Sequence, residues 1–137
     1  MKDLFDVHCH MVPGVDDGAS DLEESLAMLK MEYRDGVRNI IVTPHYRRRM
    51  FETPAKKVHE QFLKLQEAAK KEYPDMSLYL GCELHSNMDL QDILEKRKYV
   101  TMAGSSYVLL EFSEGDSAQH IRERVYNVLS CGYEPII

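Results

Sequence analysis

Apolar residues recur along this chain at two alternating spacings, short compact runs and longer stretches of helical period. The pattern predicts a short strand over 4–8, then a loop rich in glycine and aspartate (Pro13, Gly14, Asp16, Asp17, Gly18). A helix is expected over 21–35, where Leu22, Leu26, Leu29 and Tyr33 share one face, Ser20 or Asp21 caps the start and Gly36 ends it. Residues 37–43 read as a buried strand. A second helix should open at Thr53-Pro54, with Val58, Phe62, Leu65 and Ala69 on one face, and end before Pro74. A strand over 77–83, a short helix over 89–96, a strand over 107–112 and a helix over 117–130 closed by Gly132 complete the series. Residues 133–137 look like the start of one more strand.

Strands alternating with helices through right-handed crossovers build a parallel sheet or barrel. Four or five such units are about half of a β/α barrel, which takes roughly 250 residues. The expectation is therefore an α/β fold with parallel strands, residues 1–137 being the N-terminal portion of a single barrel domain. A parallel strand at the end of the chain is an exposed edge, so the polypeptide reads as cut short.

Composition narrows the possibilities. A net charge of −6 argues against a nucleic-acid partner, which would call for a basic stripe. No apolar run is long enough to cross a bilayer, and the start lacks a signal-peptide core, so a cytoplasmic protein is expected. The cysteines, Cys9, Cys82 and Cys131, are odd in number and far apart, which suits reduced thiols and neither a disulfide framework nor a zinc ribbon.

In parallel β/α architectures functional groups gather where strands end. His8-Cys9-His10 closes the first strand, and side chains two apart on a strand point the same way, so both imidazoles can reach one ion. Thr43-Pro44-His45 closes the second, with His45 at the rim. Gly81-Cys82-Glu83 closes the third, and Glu111 sits inside the apolar run Val108-Leu109-Leu110-Glu111-Phe112. A buried ionised Glu is costly unless something positive neutralises it. Each feature alone has an ordinary explanation in a turn, a cap or a solvated loop; their conjunction at strand ends points to a metal site. Mixed His and carboxylate donors suit manganese, iron or zinc, and paired ions can activate a water and clamp a phosphoryl group. His59 and His120 fall on predicted helices and read as surface residues, and His85 is a marginal extra ligand. Arg47-Arg48-Arg49, in the loop after His45, suits either a solvated loop or a contact to phosphate.

The segments Asp6-Val7-His8-Cys9-His10, Val15-Asp16-Asp17-Gly18, Thr43-Pro44-His45, Phe51-Glu52-Thr53-Pro54, Gly81-Cys82-Glu83-Leu84 and Leu110-Glu111-Phe112-Ser113 resemble the PHP (polymerase and histidinol phosphatase) superfamily. Within it they are similar to the CpsB/YwqE-type bacterial tyrosine-protein phosphatases of capsule and exopolysaccharide systems. The resemblance runs the whole length. It implies a distorted TIM-like barrel, metal ligation by His8, His10, His45, Glu83 and Glu111, and manganese as the ion, with iron, zinc and magnesium as alternatives. Glu83 would be the bridging carboxylate. Asp17 resembles an acid that assists the leaving group, although a turn residue is an equal reading, and Arg47 and Arg48 would meet the substrate.

The implied substrate is a phosphotyrosine protein, the tail of a bacterial tyrosine autokinase. Family members continue with an Ala-His-Pro-Glu-Arg-like segment and an Asp-x-His motif, neither of which is present here, so the trinuclear site is not expected to assemble from this chain alone. Two alternatives accompany the phosphatase: a histidinol-phosphate type of small-molecule enzyme, and a catalytically impaired fragment that associates with itself as a homo-oligomer. Cys9 should face away from the metals, and no C-x5-R loop is present, which disfavours a cysteine-based phosphatase.

Overall fold

The computed structural model describes residues 3–137, and Met1 and Lys2 lie outside the described residues. Strand β1 (Leu4–Cys9) leads through the Gly-Asp loop into helix α1 (Leu22–Asp35). The Asp21 side chain accepts the Glu24 N–H and caps the helix. Gly36 ends it at φ 97°, donating its N–H to the Glu32 and Tyr33 carbonyls, a left-handed position that glycine enters without a Cβ penalty.

The strand expected over 37–43 is two pieces, β2 (Val37–Val42) and β3 (His45–Tyr46), on either side of Thr43-Pro44. The strand expected over 77–83 is likewise divided into β4 (Ser77–Leu80) and β5 (Glu83–His85) at Gly81-Cys82. Pro44 has no N–H to give the ladder. At Gly81 a Cβ would lie 3.0 Å from both Ile41 Cγ2 and Met102 Sδ, so a side chain there would be crowded. His45 and Glu83 therefore begin new strand segments, where the sequence suggested they ended old ones.

Helix α2 (Ala55–Glu72) separates β3 from β4. Thr53 does not cap it: its hydroxyl donates instead to the Val15 carbonyl at 2.9 Å, and Pro54 occupies the cap position. Helix α3 (Leu90–Lys96), capped by Asp89, precedes β6 (Tyr107–Glu111). Helix α4 (Ala118–Ser130), capped by Ser117, precedes β7 (Glu134–Ile136).

All strand pairs are parallel, in the orders β1-β2-β4 and β3-β5-β6-β7. The fold is thus α/β with parallel sheets. The two sheets are joined by the chain itself and by bonds across the breaks, Gly81 N–H to Val42 O at 2.8 Å and Glu83 N–H to Pro44 O at 3.0 Å.

One face of this surface is covered by helices. Ile40, Val42, Leu78 and Leu80 pack with Leu29 of α1 and with Val58, Phe62, Leu65 and Ala69 of α2. Leu84, Val108 and Leu110 pack with Leu90 and Leu94 of α3 and Val128 of α4. On strands β1, β4 and β6 the alternating residues Phe5, Val7, Tyr79 and Tyr107 are exposed.

Leu65 is fully enclosed, whereas Leu63, two residues away on the same helix, is 45% exposed. Leu65→Ala should cost about 2–5 kcal/mol through lost burial and a residual cavity. Leu63→Ala should stay within about 0.5 kcal/mol. Urea unfolding followed by circular dichroism checks both.

Candidate metal centre

The ends of β1, β3, β5 and β6 bring His8, His10, His45, Glu83 and Glu111 together. Backbone register does part of the work: His45 lies beside Glu83, and Glu83 beside Leu109, two residues before Glu111. Thr43 fixes the end of β1 against the end of β2. Its N–H donates to Cys9 O at 2.8 Å, and its buried hydroxyl accepts the Cys9 N–H at 3.2 Å.

Glu83 Oε2 is the meeting point. It lies 3.0 Å from His8 Nε2, 3.0 Å from His10 Nε2 and 3.3 Å from His45 Nδ1. His45 Nδ1 is also 3.5 Å from Glu111 Oε2. These approaches are short in distance but not aligned as hydrogen bonds: His45 Nδ1, Glu83 Oε2 and Glu111 Oε2 are all buried without a partner. Leaving such atoms unpaired costs about 1–3 kcal/mol each, more when they are charged. Nitrogen lone pairs and carboxylate oxygens aimed at one space are a donor set that fits a divalent cation.

Asp16 is the residue the sequence reading passed over. Its side chain is fully buried. Oδ2 contacts His10 Nδ1 at 3.1 Å and accepts the His45 N–H at 3.0 Å, while Oδ1 accepts the Gly18 N–H at 2.9 Å. With Asp16 on its Nδ1, His10 turns Nε2 toward Glu83 and His8, the arrangement by which outer carboxylates orient ligating imidazoles. Asp17, the expected acid, is 65% exposed at the rim, with Oδ1 3.6 Å from His45 Nε2. In an Asp-Asp-Gly turn only the direction of burial separates the two. Gly18 shows why the turn is tight: a Cβ there would lie 2.0 Å from the His10 carbonyl oxygen.

The charges lean on one another. Burial alone raises Glu83, but contacts from His10 and His8 outweigh it and hold its pKa down at about 2. Burial alone lowers His10, but Asp16 and Glu83 raise its pKa to about 9. Burial pushes Asp16 up as well, and the His10 contact with the His45 and Gly18 N–H groups brings it below the usual carboxylate range. The cysteines go the other way. Burial, with Asp6 nearby, raises Cys9 far above an ordinary thiol, and burial pushes Cys82 up to about 12. Cys9 packs on the helix side of the sheet, away from the imidazoles.

Arg47 approaches the cluster, with Nη1 3.8 Å from Glu111 Oε1, so the positive group near Glu111 comes from another segment. Arg48 is exposed. His85 is buried and does not join the cluster: Nδ1 accepts the Asn87 N–H at 3.1 Å, so Nε2 carries the proton and donates to Ser113 Oγ at 3.1 Å. His59 and His120 are half-buried rather than on the open surface. His59 stacks on Tyr99 at 4.4 Å, and His120 lies edge-on to Phe112 and 3.3 Å from Ser86 Oγ.

Residues 4–137 match the profile described as capsular polysaccharide synthesis, CpsB/CapC. The chain belongs to the CpsB/CapC family. It is 41% identical over 134 residues to the tyrosine-protein phosphatase CpsB of Streptococcus pneumoniae, covering 98% of this chain and 55% of that protein. Identity to the tyrosine-protein phosphatase YwqE of Bacillus subtilis is 29%, covering 98% and 53%. The structure superposes with a TM-score of 0.85 and 29% identity on a chain from the crystal structures of YwqE and CpsB, described as unique metal-dependent tyrosine phosphatases. That match covers 96% of this chain and 53% of the other. The chain spans about half the length of the curated relatives it matches. None of its helices is long and apolar enough to cross a membrane, among the described residues.

Gly18→Ala should destabilise the chain by about 1–3 kcal/mol, because a backbone oxygen occupies the space of the new methyl. Gly115→Ala, where nothing lies within 4 Å, should change stability by less than about 0.5 kcal/mol. Paired urea titrations measure the difference.

Proposed function

We propose that this chain is the N-terminal portion of a PHP-type, TIM-like barrel that hydrolyses phosphotyrosine on a protein, with divalent cations held by His8, His10, His45, Glu83 and Glu111. The observation that carries this reading is the buried, unpartnered Glu83 Oε2 facing three imidazole nitrogens. Its family relatives named as tyrosine-protein phosphatases support the substrate class. Manganese is the ion we assign, from the resemblance; two carboxylates with three imidazoles form a mixed donor set that suits manganese, iron or zinc.

When bound, such cations supply an activated water and neutralise the oxygens of a phosphoryl group. The chain's own groups do the rest. Asp16 orients His10, and Glu83 and Glu111 close the base of the site. Arg47 can turn from Glu111 to the phosphoryl oxygens, because guanidinium pairs with phosphate in two-point geometry, and Arg48 extends that contact outward. As water forms the new bond to phosphorus, the bond to the tyrosine oxygen breaks. We assign Asp17, at the exposed rim, to accept the proton that the attacking water loses and to pass it to that oxygen. A cysteine nucleophile has no part in this scheme, consistent with the raised thiols.

The reading puts the protein in the cytoplasm, beside a tyrosine autokinase of capsule or exopolysaccharide synthesis. Calorimetric titration with manganese should show binding to the chain that weakens at least about tenfold in Glu83→Gln. Cys9→Ser should bind as the parent does. Any turnover of a phosphotyrosine peptide should vanish in EDTA, and turnover that survives the chelator would refute the proposal.

A second reading concerns assembly. Phe5 is 71% exposed, Val7 49% and Tyr107 45%, all on strands whose other face is packed. Strands β1 and β7 each have one partner, among the described residues. Apolar faces of this kind next to open strand edges favour self-association. Sedimentation of the 137-residue chain should give a mass that rises with concentration, and a monomer throughout would remove this reading.

A further inference from the structure

The segment after β3 is a small hairpin rather than a loose basic loop. Arg47 and Phe51 exchange both backbone hydrogen bonds, each at 2.8 Å. Met50 N–H adds a third, to Arg47 O at 3.2 Å. At the tip Arg49 takes a left-handed φ of 67°, and its N–H is held by Glu52 Oε2 at 3.1 Å. The hairpin stands against the metal centre on both legs: the Phe51 ring stacks on His45 at 5.1 Å and 15°, and Arg47 reaches Glu111. Beneath it, the Arg97 guanidinium lies 3.6 Å from the centre of the Tyr46 ring and donates to Thr53 O at 2.9 Å. Arg48 and Arg49 are left exposed at the tip, and neither makes an ion pair among the described residues.

Placement and charge together ask for an anionic visitor. The chain carries a net charge of −6, which repels acidic peptides in general. Three consecutive arginines on a braced hairpin at the rim are a local exception. Because the backbone is fixed by its own hydrogen bonds, little ordering entropy is lost when the tip engages a ligand.

Resting on the phosphatase reading above, we propose that the hairpin of residues 47–51 is a specificity element that selects peptides carrying further negative charge beside the phosphotyrosine, with Arg48 and Arg49 binding the flanking anions. The flanking charge can be a carboxylate or a second phosphoryl group, which arginine binds through the same paired N–H donors.

The test compares fluorescein-labelled peptides by anisotropy. Each carries a non-hydrolysable phosphonate in place of the phosphotyrosine, with flanks that are neutral, glutamate-containing or bearing a second phosphonate. The variant Arg48→Gln/Arg49→Asn removes both charges while keeping a residue that tolerates the left-handed tip. The parent chain should bind the charged-flank peptides about fivefold more tightly than the neutral one, the size expected of exposed charge pairs. That ratio should fall to near one in the variant and shrink with added salt. Preference for the second phosphonate alone would identify phosphoryl groups as the flanking anion, and equal preference for glutamate would identify charge of either kind.

A parent ratio near one, or a variant that keeps the parent's ratio, overturns the proposal. The ratio is read both with manganese and in EDTA, and manganese affinity is measured on the same samples. Absent manganese binding counts against the hydrolase reading, while the flank ratio in EDTA still decides the hairpin's role.

Discussion

One carboxylate oxygen organises the end of the sheet. Glu83 Oε2 has ring nitrogens from His8, His10 and His45 within 3.3 Å, contributed by two other strand ends. Against burial, Asp16 and Glu83 hold His10 up near 9, and His10 and His8 hold Glu83 down near 2. The pair stabilises itself, and it rests in turn on Asp16, whose two oxygens gather His10, the His45 backbone and Gly18. An arrangement that needs positive charge at its centre is poorly explained by packing alone, since a polar cluster of this kind stabilises less than an apolar core of the same volume.

The geometry depends on two interruptions placed side by side. At Thr43-Pro44 and at Gly81-Cys82 neighbouring strands each break off for two residues and then resume. The bonds Gly81 N–H to Val42 O and Glu83 N–H to Pro44 O keep the bent segments in step. His45 and Glu83 therefore stay paired in register while both turn toward His8 and His10. The covered face is unaffected: Val42 and Leu80 before the bends and Leu84 after them remain packed under the helices. Outward packing and inward chemistry are thus separated residue by residue.

Much of this was legible in the sequence. Helix α1 begins and ends where Asp21 and Gly36 say it should, because capping is a local matter of one side chain and one φ angle. That His8, His10, His45, Glu83 and Glu111 would gather was legible from their conjunction at strand ends, and the geometry draws them together. What escaped was decided by distant contacts. Asp16 and Asp17 are chemically identical neighbours, and only the approach of His45 from β3 marks the first as the buried one. The breaks within 37–46 and 77–85 fall at Pro44 and at Gly81, where Met102 and Ile41 leave little room for a side chain, a closeness no local pattern reveals. Thr53 resembles a helix cap until Val15, thirty-eight residues earlier, offers its carbonyl. The half-burial of His59 and His120 follows from Tyr99 and Phe112 in the same way.

The five donors are not equally sheltered. The His8 side chain is 46% exposed, His10 and Glu111 are 23%, His45 is 14% and Glu83 is 10%. The cluster is thus most open to bulk water at His8 and most enclosed at Glu83. Solvent and small solutes therefore reach the cluster first at the His8 imidazole and last at the Glu83 oxygen.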